Sequence, residues 1–236
     1  MDLSPIDLFG MLSPEYLRAC TLPAPIVDLG VPSTIHYISM PETGPFVELT
    51  AKAFLKVSKT TKDKEVQPGM LDILLIPGPN PSTIFPPAVL DFVRGHSRWQ
   101  GSDGKSTDVL SICTGCIVLG QSGVLKGKNA SGPRGLMPKL QKDFPDTRWV
   151  DDRRWVKDGN IWTSGEPAPS LAMDMSTQVV SSDLMATLCW MELIYVRWNH
   201  KWSRNGSRVY TRQLSWPCIG GSACNGRCRR KGRRVY

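Results

Sequence analysis

The chain has 236 residues, 41% hydrophobic and 21% charged, which suits a globular body with a sizeable core and excludes extensive disorder. Its net charge of +8 is lopsided: the segment from Arg197 to Tyr236 holds eleven Lys/Arg and no Asp/Glu, leaving eighteen bases against twenty-one acids, a net of −3, over the other 196 residues. The basic excess therefore belongs to a terminal segment and not to a patterned face of the body. No run of eighteen apolar residues is present and Asp2 stands where a signal peptide needs bases, so we expect a soluble, cytoplasmic protein whose seven cysteines are free thiols.

In chain order, Ser13-Pro14-Glu15 predicts a helix start, with Ser13 as N-cap, Pro14 at the first helical position and Glu15 near the positive end of the dipole. That helix should end before Pro23. Ser33 to Ile38 has the β-branched and aromatic content of a strand, and Phe46 to Phe54 suggests another. Lys56 to Gln67 reads as a solvated loop. The apolar run Leu71 to Ile76, closed by Pro77-Gly78-Pro79, predicts a strand buried on both faces of a parallel sheet, and Pro87 to His96 a helix. A second buried strand, Val109 to Ile112, runs straight through Cys113-Thr114-Gly115-Cys116 into the helical stretch Ile117-Val118-Leu119. Trp149-Val150, Arg154 to Val156 and Asn160 to Thr163 predict late strands, the last two joined by a turn at Asp158-Gly159. Strands alternating with helices predict a doubly wound α/β sheet, in which ligands bind at the carboxyl ends of strands, where Pro77-Gly78 and Cys113-Thr114 both fall.

A cysteine on the turn between a buried strand and a helix has a physical reason to be reactive. The helix start presents unpaired N–H groups and partial positive charge that favour thiolate, lowering a cysteine pKa from ~8.5 to between roughly 3.5 and 7.5. The same N–H groups can hold a developing anion, and Gly115 lets the backbone turn tightly. On spacing alone a buried core thiol is an equal reading for Cys113, because free cysteine is among the most buried residue types.

These residues resemble the DJ-1/PfpI superfamily. Ser111-Ile112-Cys113-Thr114-Gly115 and the following Leu119 to Lys128 are similar to its nucleophile elbow and helix, and Leu74 to Gly78 to the preceding strand and turn. Phe144-Pro145-Asp146, Asp152 to Val156 and Asp158 to Gly165 match its later strands in order. The Cys-Thr-Gly form with an acid near the N-terminus is most similar to the isonitrile hydratase branch found in fungi. The resemblance implies a flavodoxin-like, mostly parallel sheet with helices on both faces over residues 1–190. It also implies conversion of an isocyanide to an N-substituted formamide in fungal secondary metabolism, without metal or organic cofactor. Cys113 would be the nucleophile, Asp2 the carboxylate that moves protons and orients water, and Thr114 a neighbour supplying its N–H and hydroxyl, with Gly78 and Gly115 as further backbone donors. The substrate would be a small isocyanide, and a homodimer would fit the family.

The sequence departs from the family pattern in places. No strand precedes Asp2, which predicts little hydratase activity for the chain as written, and Asp7 is the alternative acid. Pro79 replaces a glycine and has no N–H to donate, and about fifteen extra residues separate Ser164-Gly165 from Asp183-Leu184-Met185-Ala186. Residues 191–236 form an irregular basic tail, expected to be poorly ordered. Its Trp202 and Trp216 could stack on bases, but the forty residues from Arg197 to Tyr236 are too few for a helix-turn-helix pair and nucleic acid is not expected as a partner. Cys218, Cys224, Cys228 and His200 lack paired zinc-knuckle spacing, so no metal is expected. Cys116 could pair with Cys113 as a thioredoxin-like C-x-x-C, though a core position on the inner face of the helix is preferred. His96, near a helix end, reads as a cation complementing the dipole. Two rival functions stay open: another cofactor-free superfamily activity of glyoxalase or deglycase type, and a non-catalytic redox sensor that oxidises at Cys113.

Overall fold

The computed structural model describes residues 4–165. Three short helices open this stretch, α1 (Ser4–Met11), α2 (Pro14–Ala19) and α3 (Ala24–Val27). Ser13 caps α2 as expected: its hydroxyl accepts from the Tyr16 N–H at 3.2 Å. The expected strand over 33–38 shrinks to β1 (Ile38–Ser39), since a β-rich sequence forms a strand only where a partner supplies the ladder, and only these two residues pair, with Lys59 and Thr60. The single strand expected over 46–54 is instead a hairpin, β2 (Phe46–Glu48) and β3 (Phe54–Lys56). The expected loop from Lys56 holds β4 (Lys59–Thr60) and a 3-10 turn (Lys64–Val66) whose Val66 is fully buried.

The central sheet is built from β5 (Ile73–Ile76), β6 (Asp108–Ile112), β9 (Trp155–Asp158) and β10 (Ile161–Ser164), in the order β5-β6-β10-β9. Between them in sequence lie α4 (Pro87–Arg98), α5 (Gly115–Gln121), β7 (Asn129–Ala130), α6 (Met137–Asp143) and β8 (Arg148–Trp149). The first three strands of the sheet order are parallel and β9 is antiparallel to β10, so the sheet is mostly parallel, as expected for a doubly wound α/β fold. The turn at Gly159 takes a left-handed φ of 65°, and the Asn160 amide donates to the Ser97 and Thr107 carbonyls, tying the turn to the end of α4 and the start of β6.

Alternation along the strands divides the core. Leu74, Ile76, Val109 and Ile161 pack on one face against Val93 of α4 and Val118 and Leu119 of α5. Leu110, Ile112 and Trp162 point to the other face, where Phe9 of α1 and Trp155 cover them, the two indoles stacking at 5.9 Å. Each fully buried aliphatic side chain contributes about 1.5–3 kcal/mol, so the first face is the main source of cohesion. The β5 strand is buried on that face only; Ile73 and Leu75 on the other are half-buried, which corrects the expectation of burial on both faces. Among the described residues no helix is long and apolar enough to cross a membrane.

Candidate functional site

Three strand ends converge at one edge of the sheet. Ile76 is paired with Ser111, and Ser164 with Ile112, so the register carries Gly78 and Gly165 to the level of Cys113. Cys113 links β6 to α5 with a left-handed φ of 52°, a conformation costing roughly 1–2 kcal/mol for a residue with a Cβ. The chain holds it there by bonding on both sides: the Cys113 N–H donates to the Ser164 carbonyl at 3.0 Å, and the Thr114 hydroxyl donates to the Pro79 carbonyl at 2.7 Å. Cys113 is half-buried and packs with Leu110, Ile112 and Trp162, on the face that Phe9 brings α1 to.

The glycines at this edge are demanded by close backbone approach. A Cβ on Gly115 would lie 2.4 Å from the Ile76 carbonyl oxygen, and one on Gly165 would lie 2.1 Å from the Gly132 carbonyl oxygen. Gly115 thus lets α5 begin directly against the end of β5, which sets the distance between Cys113 and the Pro77-Gly78 turn. Because the Cys113 N–H is already committed to Ser164, any anion held here would have to rely on other backbone donors.

Sequence reasoning missed the clamp on the loop after β5. The Gln121 side chain, at the end of α5, accepts from the Phe85 N–H at 3.0 Å and donates to the Thr83 carbonyl at 2.8 Å. Together with the Thr114 bond, this fixes the loop from Pro79 to Phe85 along the whole of the helix that starts at Cys113. Pro79, noted above for its missing N–H, serves through its carbonyl. The only sequence signal for the clamp is a buried-side amide on an otherwise apolar helix, with partners almost forty residues away.

Cys116 points the other way. It is buried with Ile117 and Leu140, and desolvation pushes its thiol up to about 12, with the neighbouring Cys113 adding to the rise. A thiol so protonated is a poor resolving nucleophile, which weighs against the C-x-x-C reading and fits the core position. His96 is not the dipole-complementing cation expected. It is buried on α4, its Nε2 bonds the Val66 carbonyl at 3.0 Å, its Nδ1 has no partner among the described residues, and desolvation holds its pKa below the usual value. Asp7 is exposed in the first turn of α1 and makes no side-chain bond among the described residues. Asp2 lies outside the described residues, as do Asp183, the boundary near 190, and the tail with its histidine, tryptophans and cysteines.

A buried parallel strand, a cysteine in left-handed conformation and a helix opened by glycine define a sharp strand-to-helix elbow in an α/β protein. The chain belongs to the DJ-1/PfpI family, whose model matches residues 36–181. It is 30% identical over 158 residues to the isonitrile hydratase of Pseudomonas putida, covering 63% of this chain and 62% of that protein. It is 25% identical over 139 residues to protein DJ-1alpha of Drosophila melanogaster, covering 57% of this chain and 60% of that one. The chain thus spans about six-tenths of the length of these curated relatives. Among solved structures, Schizosaccharomyces pombe DJ-1 aligns with a TM-score of 0.44 at 17% identity, over 70% of this chain and 79% of that one. Drosophila melanogaster DJ-1beta aligns with a TM-score of 0.41 at 23% identity, over 52% and 61%. The family match begins at residue 36, so the N-terminal acid lies outside it.

Proposed function

We propose that the protein is a cysteine-dependent hydro-lyase of isonitrile hydratase type, with Cys113 as nucleophile, acting on a small isocyanide. The observation that carries the reading is the left-handed backbone of Cys113 at the junction of β6 and α5, level with the ends of two neighbouring parallel strands. Strain of this kind persists where the surrounding structure holds it, and it turns the Cys113 side chain out of the strand's own alternation. The similarity to the Pseudomonas putida isonitrile hydratase supports the substrate class.

Each step balances with groups a protein of this kind supplies. The thiolate adds to the terminal carbon of R–N≡C, and that carbon takes a proton from a carboxylic acid, giving the thioimidate R–N=CH–S–Cys. Water then adds to the same carbon, one of its protons going to the nitrogen and the other restoring the carboxylic acid, and the C–S bond breaks with its electron pair returning to sulfur. The product is R–NH–CHO, one water having been consumed and no electrons transferred. We assign the proton-handling role to Asp2 and the holding of charge to the backbone around Gly78, Thr114 and Gly115, with the Thr114–Pro79 bond positioning the turn.

Formamide formation from an aryl isocyanide, followed by chromatography, tests the assignment. Cys113→Ser is expected to abolish turnover with an unchanged circular dichroism spectrum, while Cys116→Ser keeps most of it. Turnover retained in Cys113→Ser would overturn the covalent route, and equal loss in both variants would favour a redox pair. Rapid oxidation of Cys113 to the sulfinate, with no formamide formed by the wild type, would favour the redox-sensor function instead.

A further inference from the structure

The sheet face against which Cys113 packs has a gap in it. The register sets Ile112, Ser164 and Trp155 in one row across β6, β10 and β9, and Leu110, Trp162 and Lys157 in the row beneath, all on the same face. Ser164 is the one small side chain among these six, and its hydroxyl turns to the neighbouring strand, donating to the Ser111 carbonyl at 3.2 Å. Cys113 stands next to it at the carboxyl edge, since the Cys113 N–H donates to the Ser164 carbonyl at 3.0 Å. The row beneath is closed at its centre, with Leu110 fully buried and Trp162 only 7% exposed. At the level of the gap, Cys113, Ser164 and Gly165 are each half-buried. The result is an apolar notch with the thiol at its mouth.

We propose that this notch receives the R group of the isocyanide and that Trp155 makes the site selective for a flat, uncharged aromatic R, an inference that rests on Cys113 being the nucleophile towards isocyanides. Of the two indoles, Trp155 is the one a ligand meets. The Trp162 ring is taken: Trp155 stacks on it at 5.9 Å and 27°, and the Lys157 ammonium sits 4.4 Å from its centre. Trp155 itself is half-buried, so the stack fixes its orientation on one side while its remaining surface borders the gap left by Ser164. Phe9 of α1 packs on the same cluster and adds a further ring to this face.

The shape of the substrate suits this arrangement. An isocyanide is linear through R–N≡C, so attack by sulfur on the terminal carbon holds R away from the elbow along a fixed line. The β6 and β9 strands lie two interstrand spacings apart, ~10 Å, a span that a linear arm ending in a ring crosses and a compact alkyl group does not. An indole meets a ring in offset-stacked or edge-to-face contact, which contributes beyond the area buried, whereas a branched alkyl group gains area alone. Of the six side chains in the two rows only Lys157 is charged, and its ammonium is engaged on Trp162, so the notch favours an R without charge.

Two readouts on the full chain test the proposal. In steady-state turnover of phenyl and tert-butyl isocyanide, the wild type is expected to favour phenyl in kcat/KM. Trp155→Leu should lower the phenyl to tert-butyl ratio by about tenfold, the upper end of what an aromatic pair contributes, and Trp155→Phe should keep most of it. The second readout needs neither turnover nor a variant: alkylation of the wild type by N-phenylmaleimide and N-ethylmaleimide, mapped by peptide mass, with the exposed Cys20 as internal reference. Cys113 is expected to favour the phenyl reagent several-fold more than Cys20 does. Absence of turnover with either isocyanide would strike the hydratase reading, and the subsite is then decided by labelling, where equal ratios at Cys113 and Cys20 overturn it. Turnover of both isocyanides with no phenyl preference, or a ratio in Trp155→Leu equal to the wild type, would overturn the subsite and leave the hydratase reading standing.

Discussion

At the residue scale, the strain at Cys113 makes an unusual stability signature. Glycine ordinarily costs about 0.5–1 kcal/mol relative to alanine, but at a φ of 52° the Cβ itself is the burden. Cys113→Gly is therefore expected to be at least as stable as Cys113→Ala, by up to about 1 kcal/mol in urea unfolding, reversing the usual order. Thr114→Val removes the hydroxyl that holds the Pro79 carbonyl while keeping side-chain shape. It should lose about 1 kcal/mol of stability and a larger share of kcat than of KM, since the turn it releases faces the cysteine. His96 supplies the pH dependence. Its folded pKa lies below the unfolded value of 6.5, so the unfolded chain binds the extra proton first and stability falls as pH drops through 6.5 towards the folded pKa. Thermal midpoints measured from pH 7.5 downwards should show this loss and His96→Gln should flatten it. The carboxylates of Asp63 and Asp158 have folded values held down first by the backbone N–H groups of Thr60 and Asn129 that they accept from, so their contribution is lost only at lower pH.

At the scale of elements, the contrast between glycines separates backbone contact from open space. Gly115→Ala drives a Cβ into the Ile76 carbonyl and Gly165→Ala into that of Gly132, contacts that no side-chain rotation relieves. Both should cost more than about 2 kcal/mol and displace Cys113, whereas Gly10→Ala, in α1 with nothing within 4 Å, should stabilise by about 0.5–1 kcal/mol. Denaturant midpoints of the three variants check the ranking. The same elements show what the sequence disclosed. The β5 and β6 strands and the elbow were legible because strands within a parallel sheet read as continuous apolar runs and because Cys-Thr-Gly has no spacer on either side. The β2–β3 hairpin was read as one strand because its turn lacks the usual glycine or asparagine, and Lys52 takes the left-handed φ of 62° instead. Val66 disappeared in a polar stretch, though its carbonyl meets His96 and its side chain is fully buried. The clamp by Gln121 joins positions 36 and 38 residues apart and that by Asn160 positions 53 and 63 apart, beyond the reach of local pattern.

At the scale of the whole molecule, the sequence adds to the described residues 4–165 a basic segment, from Arg197 onward, that lies outside them. Removing residues from Arg197 onward takes away all eleven of that segment's bases and leaves a net charge of −3. The truncated chain is expected to keep its circular dichroism spectrum and to lose retention on heparin, which gel shift or chromatography would read. The proposed reaction rests on a covalent bond between the Cys113 sulfur and the isocyanide carbon, and that bond can be trapped. Wild-type protein mixed with an aryl isocyanide, acid-quenched and mapped by peptide mass spectrometry, should carry one whole isocyanide mass on the peptide containing Cys113, absent from the Cys113→Ser variant. Formamide released by a wild-type protein that carries the adduct on Cys20 or Cys116, or on no cysteine at any quench time, would contradict the account.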